Sequence, residues 1–125
     1  MHELGLCEAI VDAVERRAGD RPVARVTVRV GRLLHVHPDA FDQSFAMAGA
    51  GSVAADATAE LVFLPVRGRC PRCAREFEVD GVIDVPPSVC PACGGVDVEL
   101  TGGDELLLES IEYRSPAPAD RPVPA

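Results

Sequence analysis

The chain has 125 residues, of which 47% are hydrophobic, and its formal net charge is −8. A chain of this length can bury one core, so we expect one domain with room for a small inserted lobe. All twelve basic residues are arginine, which excludes catalysis by a P-loop lysine, a Schiff-base lysine or a Ser-Lys pair, and the negative charge disfavours nucleic acid as a partner.

The sequence gives no indication of a membrane or secretory location. No run of residues is long and apolar enough for a membrane span, and the first residues lack the basic start of a secretory signal. We therefore expect a cytoplasmic protein. In that reducing compartment, paired cysteines are more often metal ligands than disulfides.

Hydrophobic periodicity predicts the elements of the first half of the chain. Residues 4–18 have apolar side chains at helical spacing, and residues 23–30 alternate apolar and polar side chains as a half-buried strand does. Pro38 is well placed to begin a second helix, and residues 58–64 read as a second strand. The lone Cys7 lies on the apolar face of the first helix, where we interpret it as a small buried hydrophobe rather than a ligand or nucleophile.

The second half has shorter elements and fewer apolar residues. Residues 75–79 and 96–101 resemble short strands, and residues 105–113 predict a strand that returns to the sheet of the first half. Four prolines between residues 115 and 125 predict a disordered tail.

Two Cys-x-x-Cys pairs form the strongest motif in the chain. Cys70 and Cys73 are separated by sixteen residues from Cys90 and Cys93. Two such turns can face each other and present four thiolates to one tetrahedral ion, and an all-sulfur, closed set of ligands suits a structural Zn²⁺. Two disulfides or a redox-active pair are the alternatives. Too few apolar residues surround the cysteines to stabilise this part of the chain without a metal.

The histidines lie at two places, and each place allows a metal. A histidine directly after the first residue, as His2 is, can form a square-planar chelate with the terminal amine and deprotonated backbone nitrogens, a geometry that favours Ni²⁺ or Cu²⁺. Considered alone, however, a terminal histidine is more often a solvated surface residue, and without further information we favour that interpretation. If the chain is extended at His35 and His37, both imidazoles lie on one side and could bind a metal. We favour the alternative, in which they are two polar residues at a strand end.

Arginines cluster around the first cysteine pair, at positions 67, 69, 72 and 75. A zinc ribbon that binds nucleic acid can have such a cluster, but few aromatic side chains accompany it here, so we favour solvated charges or a protein-docking patch. The serines lack the Gly-x-Ser-x-Gly setting of a hydrolase nucleophile, and no His-Glu-x-x-His motif is present. A thiol oxidoreductase is the remaining enzymatic alternative, and we predict that the protein is not an enzyme.

Several of these motifs together resemble the HypA/HybF family of hydrogenase nickel-incorporation proteins. The resemblance runs from Met1 to about Tyr113. It is carried by the start Met1-His2-Glu3-Leu4-Gly5-Leu6-Cys7, the strand end Val30-Gly31, the two cysteine pairs, Gly103-Asp104-Glu105-Leu106 and Glu109-Ser110-Ile111-Glu112. The Met-His-Glu start and the cysteine pairs, in this order, are its most specific parts. Just before Pro38 the family commonly has a carboxylate, and this sequence has His37.

The resemblance implies a metallochaperone with two metal sites. The implied nickel ligands are the amine and backbone of Met1, the side chain and backbone nitrogen of His2 and the backbone nitrogen of Glu3. The implied ligands of a structural zinc are Cys70, Cys73, Cys90 and Cys93. The implied partners are a hydrogenase-accessory GTPase and the large subunit of nickel-iron hydrogenase, with no nucleic acid and no membrane.

We therefore predict an α+β fold, in which two helices pack on a small, mostly antiparallel sheet and a zinc-ribbon-like lobe is inserted. The predicted nickel-binding lobe comprises residues 1–65 and 104–114, the zinc lobe residues 66–103 and the tail residues 115–125. The predicted function is to bind Ni(II) at the N-terminus and deliver it to the hydrogenase, as a monomer or weak homodimer. The alternative is a zinc-ribbon interaction module, or one that binds nucleic acid, without a role in nickel transport.

Overall fold

The computed structural model describes residues 3–79, 81 and 87–114. The predicted nickel ligands Met1 and His2 and the predicted tail lie outside the described residues. The elements are α1 Glu3–Ala18, β1 Val23–Gly31, a 3-10 helix Arg32–Leu34, α2 Pro38–Gly49, β2 Thr58–Leu64, β3 Val66–Arg69, β4 Glu76–Val79, β5 Glu99–Gly102 and β6 Leu106–Tyr113.

The larger sheet has the strand order β2-β1-β6, and we call it, together with α1 and α2, the helical lobe. Strand β1 pairs in parallel with β2 and antiparallel with β6, so this sheet is mixed. The parallel pair follows from α2, which carries the chain back across the sheet between β1 and β2. The α+β class is confirmed. Neither helix is long and apolar enough to cross a membrane, among the residues that the structure describes.

The alternation of apolar and polar side chains along β1 determines which face of this sheet the helices cover. Val26, Val28 and Val30 are fully buried in a core that also contains apolar residues of both helices. The opposite face is exposed, and there Arg25 lies 2.6 Å from a carboxylate oxygen of Glu112 and 3.2 Å from one of Glu60. Exposed ion pairs of this kind contribute at most about 1 kcal/mol each, so burial of the valine face is the main stabilising term.

The smaller sheet has the order β4-β3-β5, and we call it, together with the two cysteine turns, the cysteine lobe. Strand β3 was not predicted. Its Gly68 lies under the ring of Phe77 in β4, where a Cβ atom would come within 2.4 Å of that ring. The apolar core cluster of the described residues contains no side chain of this lobe. The lobe boundaries predicted at residues 65/66 and 103/104 stay a prediction.

The two sheets are joined by a close backbone contact. A Cβ atom on Gly31, at the end of β1, would lie 2.0 Å from the carbonyl oxygen of Gly103. The N–H of Gly31 donates to the carbonyl of Glu105 at 2.8 Å, and the N–H of Leu33 donates to that of Gly103 at 2.7 Å. Gly103 also has a φ of 112°, which only glycine adopts readily. The junction therefore requires glycine on both sides.

Replacement of Gly31 by alanine is expected to lower the free energy of unfolding by about 2–3 kcal/mol, because the added methyl group collides with backbone that cannot rotate away. Urea unfolding followed by circular dichroism measures this change. Gly5→Ala is the matched control, since apart from its chain neighbours and the backbone of its own helix no atom lies within 4 Å of the added Cβ. A Gly31→Ala protein as stable as the control would contradict this interpretation of the junction.

Candidate metal centres

The two Cys-x-x-Cys turns have the same backbone structure. In the first, the N–H of Cys70 donates to the carbonyl of Arg75 at 2.9 Å, and the N–H of Ala74 to that of Cys70 at 2.7 Å. In the second, the equivalent bonds join Cys90 to Gly95 at 2.8 Å and Gly94 to Cys90 at 2.9 Å. The residue after each second cysteine is left-handed, with φ of 60° at Ala74 and 75° at Gly94. Each turn is thus tight enough to direct both of its sulfurs inward.

The fold brings all four predicted zinc ligands together. The Sγ atoms of Cys70 and Cys93 are 3.5 Å apart, those of Cys73 and Cys90 are 3.7 Å apart, and all four lie within 4.8 Å of one another. A tetrahedral zinc ion with Zn–S bonds of about 2.3 Å needs sulfurs about 3.8 Å apart. The donor set therefore fits zinc. It is the one cluster of three or more potential metal-binding side chains among the described residues.

Backbone N–H groups stabilise thiolates in both turns. The pKa of the Cys90 thiol is lowered to about 6, chiefly by a hydrogen bond from the backbone N–H of Cys93, and the pKa of Cys70 is lowered chiefly by the N–H of Cys73. At Cys93 the N–H of Gly95 lowers the pKa, but the hydrogen bond with the Cys70 sulfur and desolvation outweigh it and raise the pKa to about 11. One thiol of each facing pair is thus prepared to lose its proton, as a metal ligand must.

The arginines around the first turn lie on the surface. Arg67, Arg69, Arg72 and Arg75 are exposed. Within the residues that the structure describes, one ion pair involves this group, a 3.8 Å contact between Arg67 and Glu105. Exposure allows these side chains to interact with solvent or a protein, and none of them belongs to the cysteine cluster.

The segment with the other two histidines is not extended. After the 3-10 helix, His35 adopts a left-handed conformation with φ of 51° and ψ of 41°, so the geometry expected for an extended strand end does not form. Val36 is buried, while His35 and His37 are exposed on either side of it. The segment is therefore fixed by one apolar side chain. The His35 turn directs the chain into α2, which begins at Pro38.

Glu3 lies beside this segment. Its Oε2 atom accepts a hydrogen bond from the backbone N–H of His37 at 3.2 Å, although the two residues are 34 positions apart. The pKa of the Glu3 carboxyl is lowered from its ordinary value, first by this hydrogen bond. The first residue of α1 is thereby attached to the start of α2. No sequence pattern indicated this contact.

Cys7 is a buried apolar residue, as interpreted from the sequence. Its side chain is fully buried in the core, and its thiol donates a hydrogen bond to the carbonyl of Phe41 at 3.4 Å. Desolvation by burial, helped by the negative charges of Glu3 and Asp42, raises the pKa of Cys7 to about 12. The structure assigns it no part in the four-cysteine cluster.

Alkylation of Cys7 by iodoacetamide at pH 8 is expected to be at least a thousandfold slower than that of a free cysteine. At a pKa of about 12, only about one molecule in ten thousand carries the reactive thiolate, whereas a free thiol is about one-quarter ionised. Peptide mass spectrometry of the zinc-loaded protein, with and without guanidinium, measures the difference. Rapid labelling of Cys7 in the folded protein would show that this side chain is accessible.

The comparisons with known proteins agree with this architecture. A family model described as "Hydrogenase/urease nickel incorporation, metallochaperone, hypA" matches residues 1–113. The chain belongs to the HypA family. The resemblance found in the sequence is therefore confirmed, and with it the class of hydrogenase maturation nickel metallochaperones.

Similar HypA proteins span nearly the whole chain. The hydrogenase maturation factor HypA of Desulfitobacterium hafniense is 36% identical over 115 residues, covering 90% of this chain and 97% of that protein. The HypA of Rhodopseudomonas palustris is also 36% identical and covers 90% and 98% of the two chains. The solution structure of the Ni metallochaperone HypA from Helicobacter pylori has a TM-score of 0.65 at 26% identity, and the match covers 90% of this chain and 97% of that one.

Proposed function

We propose that this protein binds Ni²⁺ at its N-terminus and delivers it, together with a GTPase partner, to the large subunit of nickel-iron hydrogenase. The proposed ligands are the amine and backbone of Met1, the imidazole and backbone nitrogen of His2 and the backbone nitrogen of Glu3. The match of the family model from residue 1 onward carries the proposal, because it includes this Met-His-Glu start. The proposed setting is the cytoplasm, whose reducing conditions keep thiolates available.

The start of α1 supports backbone ligation. The first four N–H groups of an α-helix have no carbonyl partner within the helix. Since α1 begins at Glu3, deprotonation of the Glu3 nitrogen breaks no hydrogen bond of the helical ladder. A nickel ion bound by three or four nitrogens at a chain terminus also stays accessible to an acceptor, which suits a carrier better than a storage site.

The proposed role of zinc is structural. Cys70, Cys73, Cys90 and Cys93 would hold Zn²⁺ in a closed site, since four protein sulfurs leave no position for a substrate. Their cluster supports this role, and so does the fact that no described side chain of the cysteine lobe belongs to the apolar core cluster. The protein then has a fixed metal and a transferable one, and no catalytic residues are proposed.

Transfer of nickel between purified proteins tests the proposal. Untagged protein loaded with one Ni²⁺ is mixed with the GTPase, GTP and nickel-free large subunit, and nickel in the re-isolated large subunit is measured by mass spectrometry. We expect transfer to be faster from this donor than from an equal amount of Ni²⁺ added with His2→Ala protein. Equal rates from both donors would contradict delivery from the N-terminal site.

A further inference from the structure

The contact between Glu3 and His37 connects the proposed nickel site to the beginning of α2. Glu3 is the first residue of α1, and its carboxylate accepts the N–H of His37, the N-cap residue of α2, at 3.2 Å. The His37 side chain makes no capping hydrogen bond of its own. The next residue, Pro38, has no N–H to offer. The carboxylate of one helix thus serves the N-terminus of the other.

This arrangement is favourable for both groups. The N-terminus of a helix carries partial positive charge, so a carboxylate is stabilised there, and a hydrogen bond to a charged acceptor is stronger than a neutral one. The geometry of the donor is fixed from the other side by buried Val36 and by the left-handed turn at His35. The N–H of His37 is therefore held in a fixed position, where the Glu3 side chain of α1 accepts its hydrogen bond.

We propose that Glu3 is a positioning residue whose carboxylate, by accepting the N–H of His37, fixes the place of the Glu3 backbone nitrogen, one of the proposed nickel ligands. Position 37 then acts through its backbone and not through its imidazole. This inference rests on the proposed nickel function. It also gives a role to His37, which stands where the family commonly has a carboxylate. The Glu3 carboxylate is not a ligand in this proposal, whereas the Glu3 backbone nitrogen is.

The effect on nickel follows from ordering. A square-planar chelate requires the amine, the backbone nitrogens and the imidazole in one plane, and a free chain end loses conformational freedom when it adopts that geometry. If Glu3 is already held against α2, part of this freedom is lost on folding and not on binding, so nickel affinity rises. Removal of this clamp, the hydrogen bond between the Glu3 carboxylate and the His37 N–H, should therefore weaken nickel binding and leave the set of nickel ligands unchanged.

Nickel titrations of untagged variants test the side chain of Glu3. We expect Glu3→Ala to bind nickel about five- to tenfold more weakly and Glu3→Gln, which keeps an acceptor oxygen, about twofold more weakly. Glu8→Ala is the matched control, an exposed glutamate of the same helix, and should bind as the wild type does. The visible absorption spectrum of bound nickel should be the same in all of them. A changed spectrum in Glu3→Ala would make the carboxylate a ligand and overturn the proposal.

Two substitutions at position 37 separate its backbone from its imidazole. His37→Ala deletes the imidazole and keeps the N–H, whereas His37→Pro deletes both. We expect nickel binding to be about fivefold weaker in His37→Pro than in His37→Ala, with zinc content and circular dichroism used to verify folding. A loss in His37→Ala as large as that in His2→Ala would make the imidazole a ligand and overturn the backbone role. If His37→Pro does not fold, the Glu3→Ala and Glu3→Gln comparison decides.

The same series distinguishes this inference from the function on which it rests. His2→Ala that binds nickel as the wild type does would overturn the proposed N-terminal site. Weak binding by His2→Ala, together with wild-type binding by Glu3→Ala, would overturn the clamp alone.

Discussion

Removal of zinc is expected to unfold the cysteine lobe and to leave the helical lobe folded. The described part of the cysteine lobe contributes no side chain to the core cluster, and three of its large apolar side chains, Val89, Val96 and Leu100, are exposed. Structural zinc sites contribute about 10–16 kcal/mol of apparent binding free energy in small peptides. The packing of Phe77 on Gly68 and three short strands cannot replace an interaction of that size.

Amide hydrogen exchange of the Cys73→Ser variant measures this effect. We expect the amides of β3, β4 and β5 to lose most of their protection, while those of β1 and α1 keep theirs. Cys7→Ala is the matched control, because it also removes a cysteine but lies in the helical core, where it should leave zinc content and cysteine-lobe protection unchanged. Full protection of β3 in a zinc-free protein would show that the lobe is stable without metal.

Extension of the chain by the four residues Gly-Ser-Gly-Ser before Met1 is expected to weaken nickel binding by about two orders of magnitude or more. The extension converts the proposed amine ligand into an amide, and the new amine lies too far along the chain to share one planar chelate with the His2 imidazole. Loss of a residue that only supports a ligand typically costs 10–100-fold in metal affinity, and loss of a ligand should cost at least as much. Isothermal titration with NiCl₂ measures the change.

The control for the extension is a tag of equal length at the C-terminus. The family match ends at residue 113, so a tag after residue 125 lies outside the matched residues. It should not alter nickel binding. An N-terminally extended protein that binds nickel as tightly as the tagged control would exclude the terminal amine as a ligand.

Elements and sites whose pattern lies within a short segment could be predicted from the sequence. The alternation around Val26 and Val28 predicted β1, and the helical spacing around Cys7 predicted α1 and the burial of that thiol. The spacing of the four cysteines predicted their convergence, because two identical tight turns facing each other leave few other arrangements. In each case the information lies within a short segment.

Features that depend on contacts between distant segments could not be predicted from the sequence. Strand β3 has one apolar side chain, Val66, in its four residues, and it forms because β4 and β5 pair with its two edges. The left-handed conformation of His35 has no residue-type signature as strong as glycine would give. The hydrogen bond between Glu3 and His37 joins segments that become neighbours only when α1 and α2 pack on the same sheet.

The left-handed conformation of Ala74 could have been predicted by comparing the two Cys-x-x-Cys turns. It occupies the position that Gly94 occupies in the second turn, and both are left-handed. Alignment of the two turns by their cysteines would have predicted this strained alanine, which costs roughly 1 kcal/mol relative to glycine. The sequence contained that information in the comparison of the turns rather than in either turn alone.

Metal analysis of untagged protein after exposure to Ni²⁺ and Zn²⁺, wild type against His2→Ala, tests the central claim most directly. The account predicts one nickel and one zinc per wild-type chain, and one zinc but almost no nickel per His2→Ala chain, with unchanged circular dichroism. Equal nickel content in the two proteins would contradict an N-terminal nickel site in this HypA protein.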